Sequence, residues 1–99
     1  HKLAMIMVDG DSMVPTLQPS DLILIDLREA KAVRRDAIYV VQINGALVVK
    51  RVQMRMGGGG GLKVISDNPS YESWSLTDDE AESMRVKIVG RVVWAGKRM

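Results

Sequence analysis

Two residues in this chain could do nucleophilic chemistry together, Ser12 and Lys50, 38 positions apart. Ser12 lies in Asp9-Gly-Asp-Ser-Met-Val-Pro-Thr16, where Gly10 suits a tight backbone turn and Pro15 forbids a helix of any length. One apolar run, 3–8, leads into this stretch and a second, 22–25, follows the turn at Pro19-Ser20-Asp21. A serine at the mouth of a loop between two buried strands is held rigidly yet stays reachable. The competing reading is a turn serine bonded to its own backbone. Lys50 stands in an apolar row, with Val48 and Val52 two positions to either side on the same strand face. It either snorkels to solvent or is held in a dry place, where burial lowers a lysine pKa by up to about 3–5 units. Lowering it from about 10.4 to about 7 costs on the order of 5 kcal/mol, which a small domain rarely tolerates without a use for the neutral amine.

What the chain lacks narrows the chemistry. The single histidine is His1, and cysteine is absent. A thiol nucleophile and a cysteine-based metal site are therefore excluded, a Ser-His-Asp triad or a two-histidine metal site is not expected, and no cofactor is expected. An activated serine here must use another base. A desolvated, uncharged lysine can take that part, and Ser-Lys is a known variant of the triad logic.

The elements that must position these groups follow from composition and pattern. Ninety-nine residues with 46% hydrophobic and 26% charged side chains make one small globular domain, 1–99. No run reaches the roughly 18 apolar residues of a membrane span, and the lack of cysteine fits a reducing compartment. Net charge is +2, and the basic residues are scattered without the interleaved aromatics that stack bases, so direct DNA contact is not expected of this domain. Leu3 to Val8 reads as a strand buried on both faces, because its apolar residues do not alternate. Leu22 to Leu27 reads as a second strand, and 28–36 as a loop or one helical turn.

The strongest local signal is a hairpin over 37–53, with Asn44-Gly45 as its two-residue turn. A turn there pairs Ile43 with Ala46, Val41 with Val48, and Tyr39 with Lys50. Gly57 to Gly61 reads as a flexible hairpin tip or connector, 62–66 as a strand, and Asp67 to Ser70 as a turn. Thr77-Asp-Asp-Glu80 has capping-box form, so a short helical turn follows. The last strand is placed at 84–94, with Gly90 marking a bulge or bend. The fold class is mostly β, with twisted antiparallel strands and little helix.

Taken in order, Gly10-Asp-Ser-Met-Val-Pro-Thr16, Pro19-Ser-Asp21, Val49-Lys-Arg-Val52, Asp67-Asn-Pro69 and Val89-Gly-Arg-Val-Val-Trp94 closely resemble the C-terminal domain of LexA-like repressors. That group includes the lambda-type phage repressors and the UmuD proteins, and the resemblance covers nearly the whole chain. It implies a self-cleaving serine peptidase domain, with Ser12 as nucleophile and Lys50 as general base. The backbone N–H groups of Asp11 and Ser12 would form the oxyanion hole, supported by Gly10, Met13 and Pro15. It further implies a cytoplasmic homodimer whose linker to an N-terminal helix-turn-helix domain is cut when the RecA–single-stranded DNA filament stimulates it. Operator DNA would be met only through that domain, and no membrane is involved. Ser20 replaces a common glycine of the pattern, and the five-glycine run departs from it. The family cuts a small-residue–Gly bond ahead of the serine; none lies between His1 and Ser12, and Ala95-Gly96 falls after the last strand. Two other readings stay open. One is a non-catalytic oligomerisation module released by an antirepressor; the other is a signal-peptidase core, whose Ser-Met-x-Pro-Thr and Lys-Arg motifs are similar.

Overall fold

A computed structural model describes residues 2–29, 33 and 35–96. Seven strands are found among them: β1 (Leu3–Met7), β2 (Leu22–Asp26), β3 (Ala37–Ile43), β4 (Ala46–Met54), β5 (Leu62–Ile65), β6 (Trp74–Leu76) and β7 (Lys87–Gly96). They form one antiparallel sheet in the order β1-β2-β7-β3-β4-β5-β6. The helix α1 (Asp78–Ser83) is short. A 3₁₀ turn over Leu27–Glu29 follows β2, while the rest of the anticipated turn before β3, together with His1, lies largely outside the described residues. No helix among these residues is long and apolar enough to cross a membrane.

The hairpin has the register anticipated from Asn44-Gly45, with Ile43 opposite Ala46, Val41 opposite Val48 and Tyr39 opposite Lys50. Both turn residues take positive φ, Asn44 at 49° and Gly45 at 87°. Alternation along β3 then divides the interior between the two sides of the sheet. Val40 joins Val8, Met13, Leu17, Ile23 and Ile25, with Val49 packed against them. Tyr39 and Val41 join Val33 and Val52, with Val48, Leu62 and Ile88 alongside. The first of these clusters is capped by Met13 and Leu17, which the serine loop contributes.

β1 differs from expectation. It is an edge strand paired only with β2, and its residues alternate between exposed and half-buried: Leu3, Met5 and Met7 face outward while Ala4 and Ile6 reach the core. Consecutive apolar residues suggested burial on both faces, but an edge position leaves one face open. The short β6 was not anticipated at all. The last strand starts later than expected, at Lys87, because Met84 serves as the C-cap of α1. Gly90 does mark an irregularity, since the β3–β7 register shifts between Val40 and Val41. It also permits close approach, because a Cβ there would lie 2.7 Å from the Asp26 carbonyl oxygen.

The glycine run does join two strands, β4 and β5, but it is pinned rather than slack. Arg55 donates to the carbonyls of Gly58 and Gly60, and the Asp78 N–H donates to that of Gly59. Gly61 has φ +103°, and a Cβ on it would meet the Leu76 carbonyl oxygen at 1.8 Å. The capping box forms as expected: Thr77 accepts from the Glu80 N–H, and the Glu80 carboxylate accepts from the Thr77 N–H. That second bond holds the Glu80 carboxyl below its usual pKa.

Candidate active site

Ser12 sits in the loop between β1 and β2, which is anchored at three points. Met13 inserts fully into the core at 1% exposure. The loop's base is stitched by Val8 N–H to the Asp21 carbonyl and by Ser20 N–H to the Val8 carbonyl. The Asp21 carboxylate accepts from the Gln18 N–H. Ser20 makes its bond at φ 71°, a backbone conformation that explains the glycine often found at this point of the pattern. Gly10, at φ 77°, turns the chain into a tight bend in which the Val14 N–H donates to the Asp11 carbonyl. Pro15 follows through a cis peptide bond. Ser12 is half-buried and borders a groove of about 390 Å³ walled by Ile6, Met7, Asp9, Val40, Leu47, Val48 and Val49. The groove therefore runs between β1 and the hairpin, with the serine on its rim.

Lys50 projects from β4 and is also half-buried. Its Nζ donates to Ser66 Oγ at 2.7 Å and lies 5.7 Å from the centre of the Tyr71 ring. Partial burial pushes its pKa below the ordinary lysine value. The amine is thus bonded to Ser66 rather than carried into open water, and burial disfavours its charged form. Its hydrogen bond goes to Ser66 and not to Ser12 among the described residues.

What joins the two groups is the segment after β5, residues 66–71. Asn68 donates its backbone N–H to the Ser12 carbonyl at 3.0 Å and its side-chain amide to the Asp11 carbonyl at 3.0 Å. The Asp67 N–H meets the Met13 sulfur at 3.5 Å, and Thr16 donates to the Asp67 carboxylate. Tyr71 donates its hydroxyl to the Asp11 carboxylate, which raises the phenol pKa. One face of this segment therefore holds the serine loop, while Ser66 and Tyr71 flank the lysine amine. Sequence reasoning took Asp67 to Ser70 as a plain turn and Ser66 as the end of a strand. Their roles emerge only once β4 and β5 pair, placing Arg51 opposite Ile65 and, one step on, Lys50 beside Ser66.

The segment is itself clamped. Arg51 forms a two-pronged ion pair with Asp67, at 2.9 and 2.8 Å. The guanidinium holds the Asp67 carboxyl below its usual pKa, and Asp67 in turn raises that of Arg51. A depressed carboxyl contributes stability that is complete above its unfolded value, near 3.8, and is lost as pH falls through its folded value. Asp67→Asn should therefore cost about 1 kcal/mol at neutral pH, given the pair's partial exposure. It should also flatten the acid limb of the stability curve. Chemical denaturation between pH 3 and 7 checks both, and equal slopes for the two proteins would contradict the assignment.

Known proteins share much of this sequence. Residues 1–93 match the family described as Peptidase S24-like. The chain is 37% identical over 94 residues to an uncharacterised HTH-type transcriptional regulator of Haemophilus influenzae (strain ATCC 51907 / DSM 11121 / KW20 / Rd), covering 94% of this chain and 37% of that protein. It is also 37% identical over 86 residues to the 26 kDa repressor protein of Escherichia phage HK022, covering 87% of this chain and 35% of that protein. It thus spans little more than a third of the length of these curated relatives. From its first strand to nearly its last, the chain belongs to the Peptidase S24-like family.

Proposed function

We propose that this chain is the regulatory peptidase part of a transcriptional repressor and that it cuts the linker to a DNA-binding domain with a Ser12–Lys50 dyad. The observation that carries this reading is the shared frame: a partly desolvated lysine amine and a rim serine are both gripped by residues 66–71. The relatives' names support the repressor context.

In the proposed reaction, neutral Lys50 accepts the proton of Ser12 Oγ as that oxygen attacks the scissile carbonyl. The backbone N–H groups of Asp11 and Ser12 receive the resulting oxyanion. Lys50 then returns the proton to the departing amine, leaving an acyl group on Ser12, and water releases that group by the same sequence. Apo geometry is often looser than the reactive one, and the amine and hydroxyl must close to about 2.6–3.2 Å when substrate enters. The groove beside Ser12 is apolar on the hairpin side, which suits an extended segment with small or aliphatic side chains. Homodimerisation, a helix-turn-helix partner on operator DNA, stimulation by the RecA filament and a cytoplasmic setting belong to the same proposal.

The test is self-cleavage of the intact protein at neutral and alkaline pH, followed by gel. Ser12→Ala should abolish it without loss of folding. Scission that persists in Ser12→Ala would remove the dyad from consideration. A second reading, an oligomerisation module without cleavage, draws support from an exposed apolar row. Met5, Leu24 and Trp94 are neighbours across three strands, with Met5 60% and Trp94 52% exposed. An intact wild-type linker under all these conditions, with a dimer by sedimentation, would favour that reading.

A further inference from the structure

The amine of Lys50 has its hydrogen-bond partner, Ser66, just past the end of the neighbouring strand β5. Ser66 is 7% exposed, and its Oγ is 2.7 Å from Lys50 Nζ. Its place is fixed from both sides. Upstream, β5 pairs with β4 through Val64 and Ile65; downstream, Asp67 is held by Arg51, Thr16 and the Met13 sulfur. A hydroxyl so confined can set the direction of a flexible four-carbon side chain. Lysine has three rotatable N–H donors when charged. When neutral it has two N–H bonds and one lone pair, and only the lone pair can take a proton.

We propose that Ser66 is a positioning residue for Lys50: its oxygen keeps one N–H of the amine, so that the lone pair is aimed away from β5 and toward the loop that carries Ser12. This inference rests on the dyad reading and names the device that makes the base directional. Tyr71 closes another side, its ring 5.7 Å from Nζ while its hydroxyl reaches Asp11 beside the nucleophile. Ionisable groups also stand on the neighbouring strands. Tyr39, opposite Lys50 on β3, sends its hydroxyl to the Arg35 carbonyl. Arg91 lies one strand further along the same row, and Arg51 and Asp67 are committed to each other.

A hydrogen bond from an ammonium is stronger than one from a neutral amine, so the Ser66 oxygen favours the charged form. Removing it has two separable consequences. The Lys50 pKa should fall further, and the aim of the lone pair should be lost. In the intact protein, Ser66→Ala should therefore shift the acid limb of the cleavage-rate profile to lower pH by about half a unit or more. The plateau rate above that limb should drop by about tenfold or more, and Ser66→Thr, which keeps the hydroxyl, should recover both. NMR titration of the Lys50 Cε signal in the same proteins reads the first effect without activity. A lower Lys50 pKa in Ser66→Ala, reversed in Ser66→Thr, supports the inference. An unmoved Lys50 titration, or a plateau loss with an unmoved limb, overturns it and leaves Ser66 a structural residue. Failure of the dyad itself looks different: Lys50→Met would still cleave, while the Lys50 titration would still answer to Ser66.

Discussion

Lys50→Met should stop self-cleavage, by about 10³–10⁴-fold or more, and at the same time make the folded protein more resistant to denaturant at neutral pH. A residue that only braces the structure cannot give that pair of results, because its loss lowers stability and activity together. The first effect follows from removing the base proposed for Ser12. The second follows from desolvation. Lys50's folded pKa is depressed by burial, so the folded state binds fewer protons than the unfolded one. That penalty is present in full below the folded pKa, shrinks as pH rises, and is gone above the unfolded value of about 10.4. Methionine has nearly the same shape and no charge to bury. Wild-type stability should thus gain with rising pH over that window, relative to Lys50→Met. The wild-type cleavage rate should climb about tenfold per pH unit below the Lys50 pKa and then level off. Urea denaturation and cleavage assays from pH 6 to 10 measure both. A wild-type rate with no pH dependence, or a Lys50→Met variant that unfolds more easily at pH 7, would falsify this account.

Met13→Ala should cost about 2–5 kcal/mol, the range for emptying a well-packed site. The side chain is fully enclosed by Val8, Leu17, Ile23, Ile25 and Val40, and its sulfur receives the Asp67 N–H. Because Met13 follows Ser12 directly, the same cavity loosens the nucleophile's loop and its attachment to residues 66–71. Cleavage should fall well beyond what the unfolded fraction explains. Met13→Leu keeps the volume and should cost under about 1.5 kcal/mol, while losing the sulfur contact. Denaturation midpoints and cleavage rates, measured where all three proteins are folded, separate the effects. Undiminished cleavage by folded Met13→Ala would show that the loop needs no anchor.

Local chemistry was legible wherever it is decided within a few residues. Asn44-Gly45 dictated a hairpin and its register, hence the pairing of Tyr39 with Lys50, and Thr77 with Glu80 dictated a helix start. Gly90 announced an irregularity in its strand. Features decided at long range were not legible. Whether Leu3 to Met7 is covered on one face or two depends on which strands lie beside it, and β6 is three residues with no period to detect. Ser66 looks like any strand-end serine until the ladder sets it against Lys50. The candidate pair could be named from residue types and spacing, but the segment that frames it could not.

The outermost strand has a bearing on reach. β1 leads straight into the Ser12 bend, and its five residues span roughly 17 Å. A bond lying on its upstream side must therefore double back along that distance to arrive at the hydroxyl. A turn and a return of similar length require a leash of roughly ten residues before Leu3. A tether shorter than that leaves scission to a neighbouring copy, so shortening it residue by residue should convert a concentration-independent reaction into a second-order one.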